Sequence, residues 1–415
     1  MKKILSLTMA AAMALSLAAC GNTAEAPAEE SATTNSATSE AAEGGETSAA
    51  IAGIAQVCDV GTIDDESFNQ GCWEAVKAYG EANGVETNYY LPPDDPSDED
   101  RQTLIRNAVN DGFDTIVCVG YLYGSSIAWA SSEYPDVNFI GVDITAGDIN
   151  AEGEIPANVY CITFKEEQAG YLAGYAAVKD GFTQLGFLGG QALPAVIRYG
   201  YGFVQGADAA AQEMGANINI NYWYGNQFFG DANITAKMES WYQNGTEIVF
   251  ACGGGIYTSA VEAAVKYDGK VIGVDVDQHY VGEQGVADGA YSYNPFLTSA
   301  MKGLGVAVTD AIEHVAGGTW DTIGGTNGNY GLEEGDYVGL PTAETSWCFE
   351  TFTQDEYTAL VEKIRSGELV VDNNPPAATP PTHSPPPRVV YQHYFTKTTK
   401  TAHACSCGVR RFCIG

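Results

Sequence analysis

The sequence is poor in basic residues. Its 415 residues include 53 aspartates and glutamates but only 19 lysines and arginines, which gives a formal net charge of −34. Nucleic acids and anionic membrane surfaces would be repelled by this charge, so we expect neither of them as a partner.

Residues suited to acid–base or metal chemistry are also scarce. Between residues 51 and 372 the only histidines are His279 and His314, and neither GxSxG nor HExxH occurs. Paired aspartates could form a glycosidase pair, but no pattern singles out an acid with a raised pKa. We therefore expect no enzymatic activity, no cofactor and no metal site.

The apolar run near the start is too short for a membrane-spanning helix. It covers residues 4–19, follows Lys2 and Lys3, and leads into LAAC, which ends at Cys20. This arrangement predicts a signal peptide over 1–19, and LAAC resembles a bacterial lipobox. The resemblance implies cleavage before Cys20, a lipid on its sulfur, and attachment to the extracytoplasmic face of the cell membrane. Residues 20–50 are small and polar and predict a lipid-anchored flexible linker.

The last 43 residues, 373–415, differ in composition from the rest. They contain no acidic residue but hold seven of the sixteen prolines and three of the ten cysteines. His403, Cys405, Cys407 and Cys413 do not have the spacing of a zinc site. We predict a disordered tail that is unrelated to the fold.

Most of the remaining cysteines lie in apolar, strand-like runs. Export permits disulfides, but a cysteine on a strand is usually a small buried hydrophobe. We predict mostly free thiols among Cys58, Cys72, Cys118, Cys161, Cys252 and Cys348.

The order of apolar runs and amphipathic segments predicts an α/β protein with two doubly wound lobes. The runs predict strands at 54–60, 85–91, 114–120, 138–144, 158–164, 184–190, 220–224, 247–253 and 270–277. Helical periodicity predicts helices at 67–83, 97–111, 166–179, 194–214, 231–244, 256–267 and 297–316. Continuously apolar strands that alternate with helices indicate parallel sheets covered on both faces.

In such sheets a ligand lies beyond the carboxyl ends of the strands. The segments at these positions contain carboxylates and aromatic rings but almost no arginine, and the candidates are Asp59, Asp64, Asp65, Asp143, Asp275, Asp277, Phe68, Tyr199, Phe228 and Phe229. Carboxylates accept hydrogen bonds from hydroxyl and amino groups, and aromatic faces stack on flat rings. A nucleoside fits this set, and a sugar fits almost as well. Asp64 and Asp65 could instead cap a helix, and Phe68 could anchor a helix to the core.

Five segments in order carry a resemblance to a known family. They are CDVGTIDDESFNQGCWEAV from residue 58, FKEEQAGYLAGYAA from 164, LGFLGGQALPAVIRYGYGFVQGA from 185, VFACGGGIYTSAVEAA from 249 and VIGVDVDQ from 271. The sequence resembles the basic membrane protein (BMP) family, the substrate-binding lipoproteins of ABC importers that include purine nucleoside receptors. The resemblance implies a type I periplasmic-binding-protein fold, with two Rossmann-like lobes joined by three crossovers.

The resemblance also implies roles for individual residues. Phe68 and Phe229 would stack on the two faces of the base, and Gly253 with Ile256 would line the wall. The implied polar contacts are Asp59, Asn69 and Asp143 with the base, and Asp275 and Lys302 with the ribose, for which Asp277 is an alternative to Asp275.

The resemblance implies capture of a nucleoside, a purine one, for delivery to an ABC permease and its ATPase. We expect a monomer with an N-terminal lobe of 51–160 and 294–320 and a C-terminal lobe of 161–293 and 321–372. A sugar or autoinducer receptor, or a ligand sensor for a membrane kinase, remains an alternative on the same fold.

Overall fold

The computed structural model describes residues 51–150, 152–375 and a strand at Val389–His393. The predicted signal peptide, Cys20, the predicted linker up to residue 50 and most of the predicted tail lie outside the described residues. None of the helices in the described part is long and apolar enough to span a membrane.

Thirteen strands are present in the described part of the chain. They are β1 Ile54–Cys58, β2 Thr87–Tyr90, β3 Thr115–Val119, β4 Asn138–Val142, β5 Val159–Phe164, β6 Gln184–Gly189, β7 Ile218–Tyr224, β8 Ile248–Cys252, β9 Lys270–Asp275, β10 Phe296–Lys302, β11 Thr326–Tyr330, β12 Val338–Gly339 and β13 Val389–His393.

Eleven α-helices accompany them in the same residues. They are α1 Phe68–Asn83, α2 Asp98–Asn110, α3 Gly124–Glu133, α4 Ala146–Ile149, α5 Glu166–Lys179, α6 Pro194–Met214, α7 Ala232–Gln243, α8 Tyr257–Lys266, α9 His279–Ala287, α10 Leu304–Ala316 and α11 Gln354–Arg365. Helix α2 begins with a capping box between Ser97 and Asp100, in agreement with the predicted helix start.

The strands form two sheets that are almost entirely parallel. The first has the order β11-β5-β4-β3-β1-β2, and the second has the order β12-β10-β9-β8-β6-β7-β13. Only the β10–β12 pair is antiparallel in these sheets. Strand β13, from the predicted tail, pairs with β7 at the edge of the second sheet.

Both faces of each sheet are covered. Along β3, Val117 and Val119 belong to one apolar cluster, whereas the alternating Ile116 and Cys118 belong to another. Strand β8 divides its side chains between two clusters in the same way. Because side chains alternate along a strand, this division places a core on each side of the sheet, as the continuously apolar strands predicted.

The chain passes between the two sheets three times, after β5, after β10 and after β11. The predicted α/β fold with three crossovers is therefore confirmed. Sheet membership differs from the predicted lobe boundaries for three strands. Strands β5 and β11 pair entirely within the first sheet, and β10 pairs entirely within the second. The sheet to which a strand belongs is decided by its hydrogen bonds to neighbouring strands and not by its position in the sequence.

The helix predicted over 297–316 is wrong in its first part. Phe296–Lys302 is strand β10, and only Leu304–Ala316 is helical. Residues 296–300 are all buried, since β10 lies between β9 and β12. Burial on both faces removes the alternation that distinguishes a strand from a helix in sequence. Helices α3, α4, α9 and α11 were not predicted.

Helices α5 and α6 approach each other closely through glycines. A Cβ on Gly170 would lie 2.1 Å from the Tyr199 carbonyl oxygen, and one on Gly202 would lie 2.0 Å from the Glu167 carbonyl oxygen. Only glycine fits at these points. The contact places Glu166, in the first turn of α5, beside Arg198, in the second turn of α6.

The six cysteines in the described part of the chain are free, as predicted. Five of them are buried, and only Cys348 is partly exposed.

Candidate ligand-binding site

The candidate site lies at the carboxyl ends of strands from both sheets. Asp59 follows β1 and Asp143 follows β4 in the first sheet, and Asp275 and Lys302 end β9 and β10 in the second. Asp143 and Asp275 have φ angles of +61° and +67°. Such left-handed conformations are uncommon for non-glycine residues and cluster at functional sites.

The centre of the site is the Lys302 ammonium. Its Nζ donates a hydrogen bond to Asp143 Oδ2 at 2.7 Å and lies 3.6 Å from Glu166 Oε1 and 3.7 Å from Asp275 Oδ1. The Lys302 side chain is 2% exposed. We call Lys302, Asp143, Glu166 and Asp275 the charge cluster. It brings together three of the residues expected in the site and one, Glu166, that had no assigned role.

Aromatic rings surround the same ammonium. Lys302 Nζ lies 4.4 Å from the ring centroid of Phe68, 5.5 Å from that of Phe164 and 6.0 Å from that of Tyr199. A cation over an aromatic face is attracted by the ring quadrupole. The site therefore combines ring faces with acceptor oxygens, the combination predicted from the sequence.

Burial and the lysine act in opposite directions on the acids of the cluster. Burial raises the pKa of Asp143 to about 6, although Lys302 favours the ionised form. Burial also raises the pKa of Asp275 against the same lysine. For Lys302 burial lowers the pKa, but the carboxylates of Asp143, Asp275 and Glu166 outweigh it and the pKa is raised.

Asp275 links the two lobes. Its Oδ2 accepts a hydrogen bond of 2.6 Å from Ser67 Oγ, which precedes α1 in the first lobe. The Tyr199 hydroxyl donates to its Oδ1 at 3.5 Å. All three side chains are buried. Ser67 is a second residue whose role the sequence reasoning missed.

Asp65 caps the start of helix α1, which was the predicted alternative role for Asp64 and Asp65. Its carboxylate accepts hydrogen bonds from the backbone amides of Ser67, Asn69 and Gln70 at 3.0–3.1 Å. It also accepts one from Asn69 Nδ2, which in addition donates to the Val60 carbonyl. The buried Asn69 Oδ1 has no hydrogen-bond partner among the described residues. Asn69 therefore retains one free acceptor beside Phe68.

Asp59 is buried at the end of β1 and accepts a hydrogen bond from the backbone amide of Leu122 at 3.1 Å. Burial raises its pKa to about 7, although the Leu122 amide and Arg101 act in the opposite direction. Its carboxylate lies against Gly120, where a Cβ would be 2.0 Å away.

The other expected wall and ring residues lie in different environments. Phe229 is 58% exposed, whereas its neighbour Phe228 packs close to Gly253, where a Cβ would lie 2.9 Å from the ring. Ile256 is fully buried in the second lobe. Asp277 accepts from the backbone amide of His279 at 3.1 Å and from Ser346 Oγ at 2.5 Å. It is thus bound at the start of α9 and is not part of the charge cluster.

The chain matches a known family of proteins over most of its length. The family model named "ABC transporter substrate-binding protein PnrA-like" (Bmp) matches residues 53–375. The chain belongs to this family. The Bmp family consists of solute-binding receptors of ABC transporters, not of enzymes, in agreement with the expected absence of catalytic function.

Curated relatives cover most of the chain. The "CD4+ T-cell-stimulating antigen" of Listeria innocua is 31% identical over 382 residues, 89% of this chain and 98% of that protein. The "ABC transporter nucleoside-binding protein BmpA" of Lactococcus lactis is 30% identical over 69% of this chain and 81% of that protein. "Basic membrane protein B" of Borreliella burgdorferi is 30% identical over 76% and 86%. The resemblance to this family found in the sequence is therefore confirmed.

Solved structures of solute-binding proteins agree with the fold. A solute-binding protein of an ABC transporter system from Aeropyrum pernix K1 has a TM-score of 0.63 at 22% identity, covering 78% of this chain and 94% of that one. Another from Conexibacter woesei has a TM-score of 0.58 at 23% identity, covering 77% and 98%. At these identities the likeness concerns the fold alone, the type I periplasmic-binding fold.

Proposed function

We propose that this Bmp-family receptor binds a purine nucleoside between its two lobes and delivers it to an ABC permease. The observation that carries the proposal is the juxtaposition of the Phe68 ring face with the charge cluster. A flat base can stack on the Phe68 ring face, and ribose hydroxyls can donate hydrogen bonds to the carboxylates of the charge cluster. The relative from Lactococcus lactis that is named a nucleoside-binding protein supports the same ligand class.

The proposed roles follow from the positions of the side chains. Phe68 stacks on the base. Asn69, through its unpaired Oδ1, together with Asp59 and Asp143 forms hydrogen bonds with the polar atoms of the base. Asp275 and Lys302 hold the ribose. We assign this role to Asp275 rather than Asp277, because Asp275 lies beside Lys302 in the charge cluster, whereas His279 and Ser346 hold the Asp277 carboxylate at the start of α9.

The second half of the site would come from the C-terminal lobe. Phe229 is 58% exposed, so that a base can reach this residue. Gly253 and Ile256 would form the wall behind it, Ile256 from the buried side.

We further propose that the receptor is a monomer anchored by a lipid on Cys20 to the extracytoplasmic face of the membrane. The LAAC sequence supports this, as does a 26% identical Pyrococcus abyssi protein that is named a lipoprotein. Expression in a bacterium with radiolabelled palmitate should label the protein, and Cys20→Ser should abolish the label. Equal labelling of both forms would contradict the anchor.

Calorimetric titration with guanosine tests the ligand. The protein is denatured and refolded to remove any nucleoside carried from the host, and folding is verified by circular dichroism. We expect one guanosine per chain at micromolar or tighter affinity. A flat titration with guanosine, adenosine and inosine would contradict the proposal, and binding of a free pentose or hexose would favour the sugar alternative.

A further inference from the structure

Glu166 differs from the other acids of the charge cluster in its place in the chain. Asp143 belongs to the first sheet and Asp275 to the second, whereas Glu166 is the first residue of α5, directly after the first crossover. Lys302 is the last residue of β10, directly before the second crossover. The Glu166–Lys302 contact therefore joins two of the three connections between the lobes.

We propose that Glu166, held by Arg198, is a positioning residue that keeps Lys302 in its ligand-binding place whether the lobes are open or closed. This inference rests on the proposed function. Rotation of the lobes about the crossovers separates Asp143 from Asp275 but leaves Glu166 beside Lys302. A buried ammonium needs a counter-charge that stays with it, because an unpaired buried charge is strongly destabilising.

The hydrogen bonds of Glu166 support this role. Its Oε2 accepts from Arg198 Nε at 2.6 Å, which fixes the carboxylate. Its Oε1 has no hydrogen-bond partner among the described residues and lies 3.6 Å from Lys302 Nζ. The side chain is fully buried. One oxygen is thus fixed by the arginine and the other is available to the lysine.

The close contact of α5 and α6 supplies the arginine. Tyr199 and Gly170 meet at the point where the two helices have no room for a Cβ, and Arg198 precedes Tyr199 on α6. Arg198 Nε also lies 4.0 Å from Glu167 Oε2, and the Arg198 side chain is 20% exposed. Glu167 has no ion pair with Lys302 among the described residues and is therefore a matched control for Glu166.

Guanosine affinity of Glu166→Gln and Glu167→Gln tests the inference. We expect Glu166→Gln to weaken binding about tenfold or more, since it removes one charge from a buried pair. Glu167→Gln should bind like the wild-type protein. Both variants are checked for folding by thermal unfolding, since a loss shared by the two would indicate a structural role of this helix turn.

A double-mutant cycle with Lys302→Met separates positioning from structure. If Glu166 acts through Lys302, Glu166→Gln causes no further loss of affinity in the Lys302→Met protein. Equal losses in both backgrounds, or unchanged affinity of Glu166→Gln alone, would overturn the inference while leaving the nucleoside proposal intact.

A measurement without ligand tests the role of Glu166 even if the proposed function is wrong. If the wild-type protein does not bind guanosine, the exchange rate of the Lys302 ammonium protons with water is measured by NMR, with the signal assigned through Lys302→Met. We expect severalfold faster exchange in Glu166→Gln than in Glu167→Gln and wild type. Equal rates in all three proteins would overturn the inference.

Discussion

The charge cluster sets what the site can accept at the scale of single residues. Within it one ammonium faces three carboxylates, and Arg198 adds a second cation beside Glu166. Asp143 Oδ1 is buried without a hydrogen-bond partner in the described part of the chain. An excess of acceptors favours a ligand that brings hydroxyl or amino donors, and it disfavours one that brings phosphate.

Asp275→Asn should reduce affinity for guanosine more than for guanine. The carboxylate is the proposed ribose acceptor, and a hydrogen bond to a charged group contributes about 1.5–3 kcal/mol, roughly tenfold or more in affinity. Competition titrations with both compounds measure the difference. Asp277→Asn is the control and should leave both affinities unchanged. Equal losses for nucleoside and free base in Asp275→Asn would contradict the assignment.

Phe68→Ala should weaken guanosine and guanine by the same factor. Stacking on an aromatic ring contributes about 0.5–1.5 kcal/mol beyond simple burial, so we expect a loss of roughly 2- to 13-fold, with lost burial adding to it. The same titrations measure it. Unchanged affinity for either compound would show that the ring is not a stacking face.

The pH dependence of stability should change in Asp59→Asn. The folded pKa of Asp59, about 7, is above its ordinary value of 3.8, so the folded state binds this proton more tightly than the unfolded state. Stability contributed by the protonated group is present below pH 4 and is lost as the pH rises to 7. We expect Asp59→Asn to have a higher free energy of unfolding than wild type at pH 8 but not at pH 4, measured by guanidinium denaturation. A constant difference at both pH values would contradict this.

At the scale of elements, the packing of α5 on α6 decides where Glu166 and Arg198 meet. Their close approach depends on glycines, which have no side chain to hold the two helix backbones apart. A side chain here would push against backbone, which cannot give way as a flexible side chain can.

Gly170→Ala should therefore destabilise the protein and disturb the site. A Cβ would lie 2.1 Å from the Tyr199 carbonyl oxygen, and overpacking of this kind typically costs about 1–3 kcal/mol or more. Denaturant unfolding and guanosine titration measure the two effects. Gly305→Ala in α10 is the control, since its Cβ would have its nearest contact at 3.7 Å and alanine is the better helix former. Equal destabilisation of the two variants would contradict the packing argument.

The elements also show how far sequence patterns reach. Helix α2 could be predicted because Ser97 and Asp100 form a local cap, and the strands from β1 to β9 could be predicted from apolar runs. Strand β10 could not, because it is buried on both faces, so its sequence does not alternate, and it is followed almost directly by helix α10. Its identity depends on pairing with β9, a contact between distant parts of the chain.

At the scale of the whole molecule, hydrogen bonds between the lobes stabilise the arrangement of this structure, in which the lobes are in contact and which we call closed. Ser67 donates to Asp275, and Gln278 Nε2 donates to the Glu66 carbonyl oxygen at 2.8 Å. Tyr280 and the Glu66 carboxylate form a further contact. All three join the turn before α1 to the end of β9 and the segment that follows it.

Ser67→Ala should shift the protein towards the open form. The variant loses a 2.6 Å hydrogen bond to a carboxylate, about 1 kcal/mol or more of preference for the closed arrangement. Small-angle X-ray scattering without ligand should show a larger radius of gyration than for wild type. Ser131→Ala removes a hydrogen bond within α3 and is the control. Identical scattering of Ser67→Ala and wild type would contradict a closing role.

The sequence by itself determined the family and the α/β class, and it contains most of the residues of the candidate site in recognisable motifs. Asp59, Phe68, Asn69, Asp143 and Asp275 stand in or directly after short motifs, and the end of a strand is a local property. The lobe to which a strand belongs, the capping role of Asp65 and the separation of Asp277 from the cluster were decided only in three dimensions.

Glu166 and Ser67 show why tertiary structure was needed for the rest. Neither differs in sequence from an ordinary helix-start residue, and each gains its role from a partner far along the chain, Lys302 or Asp275. The crossovers bring these partners together, and burial strengthens their electrostatic interaction because little water remains to screen it.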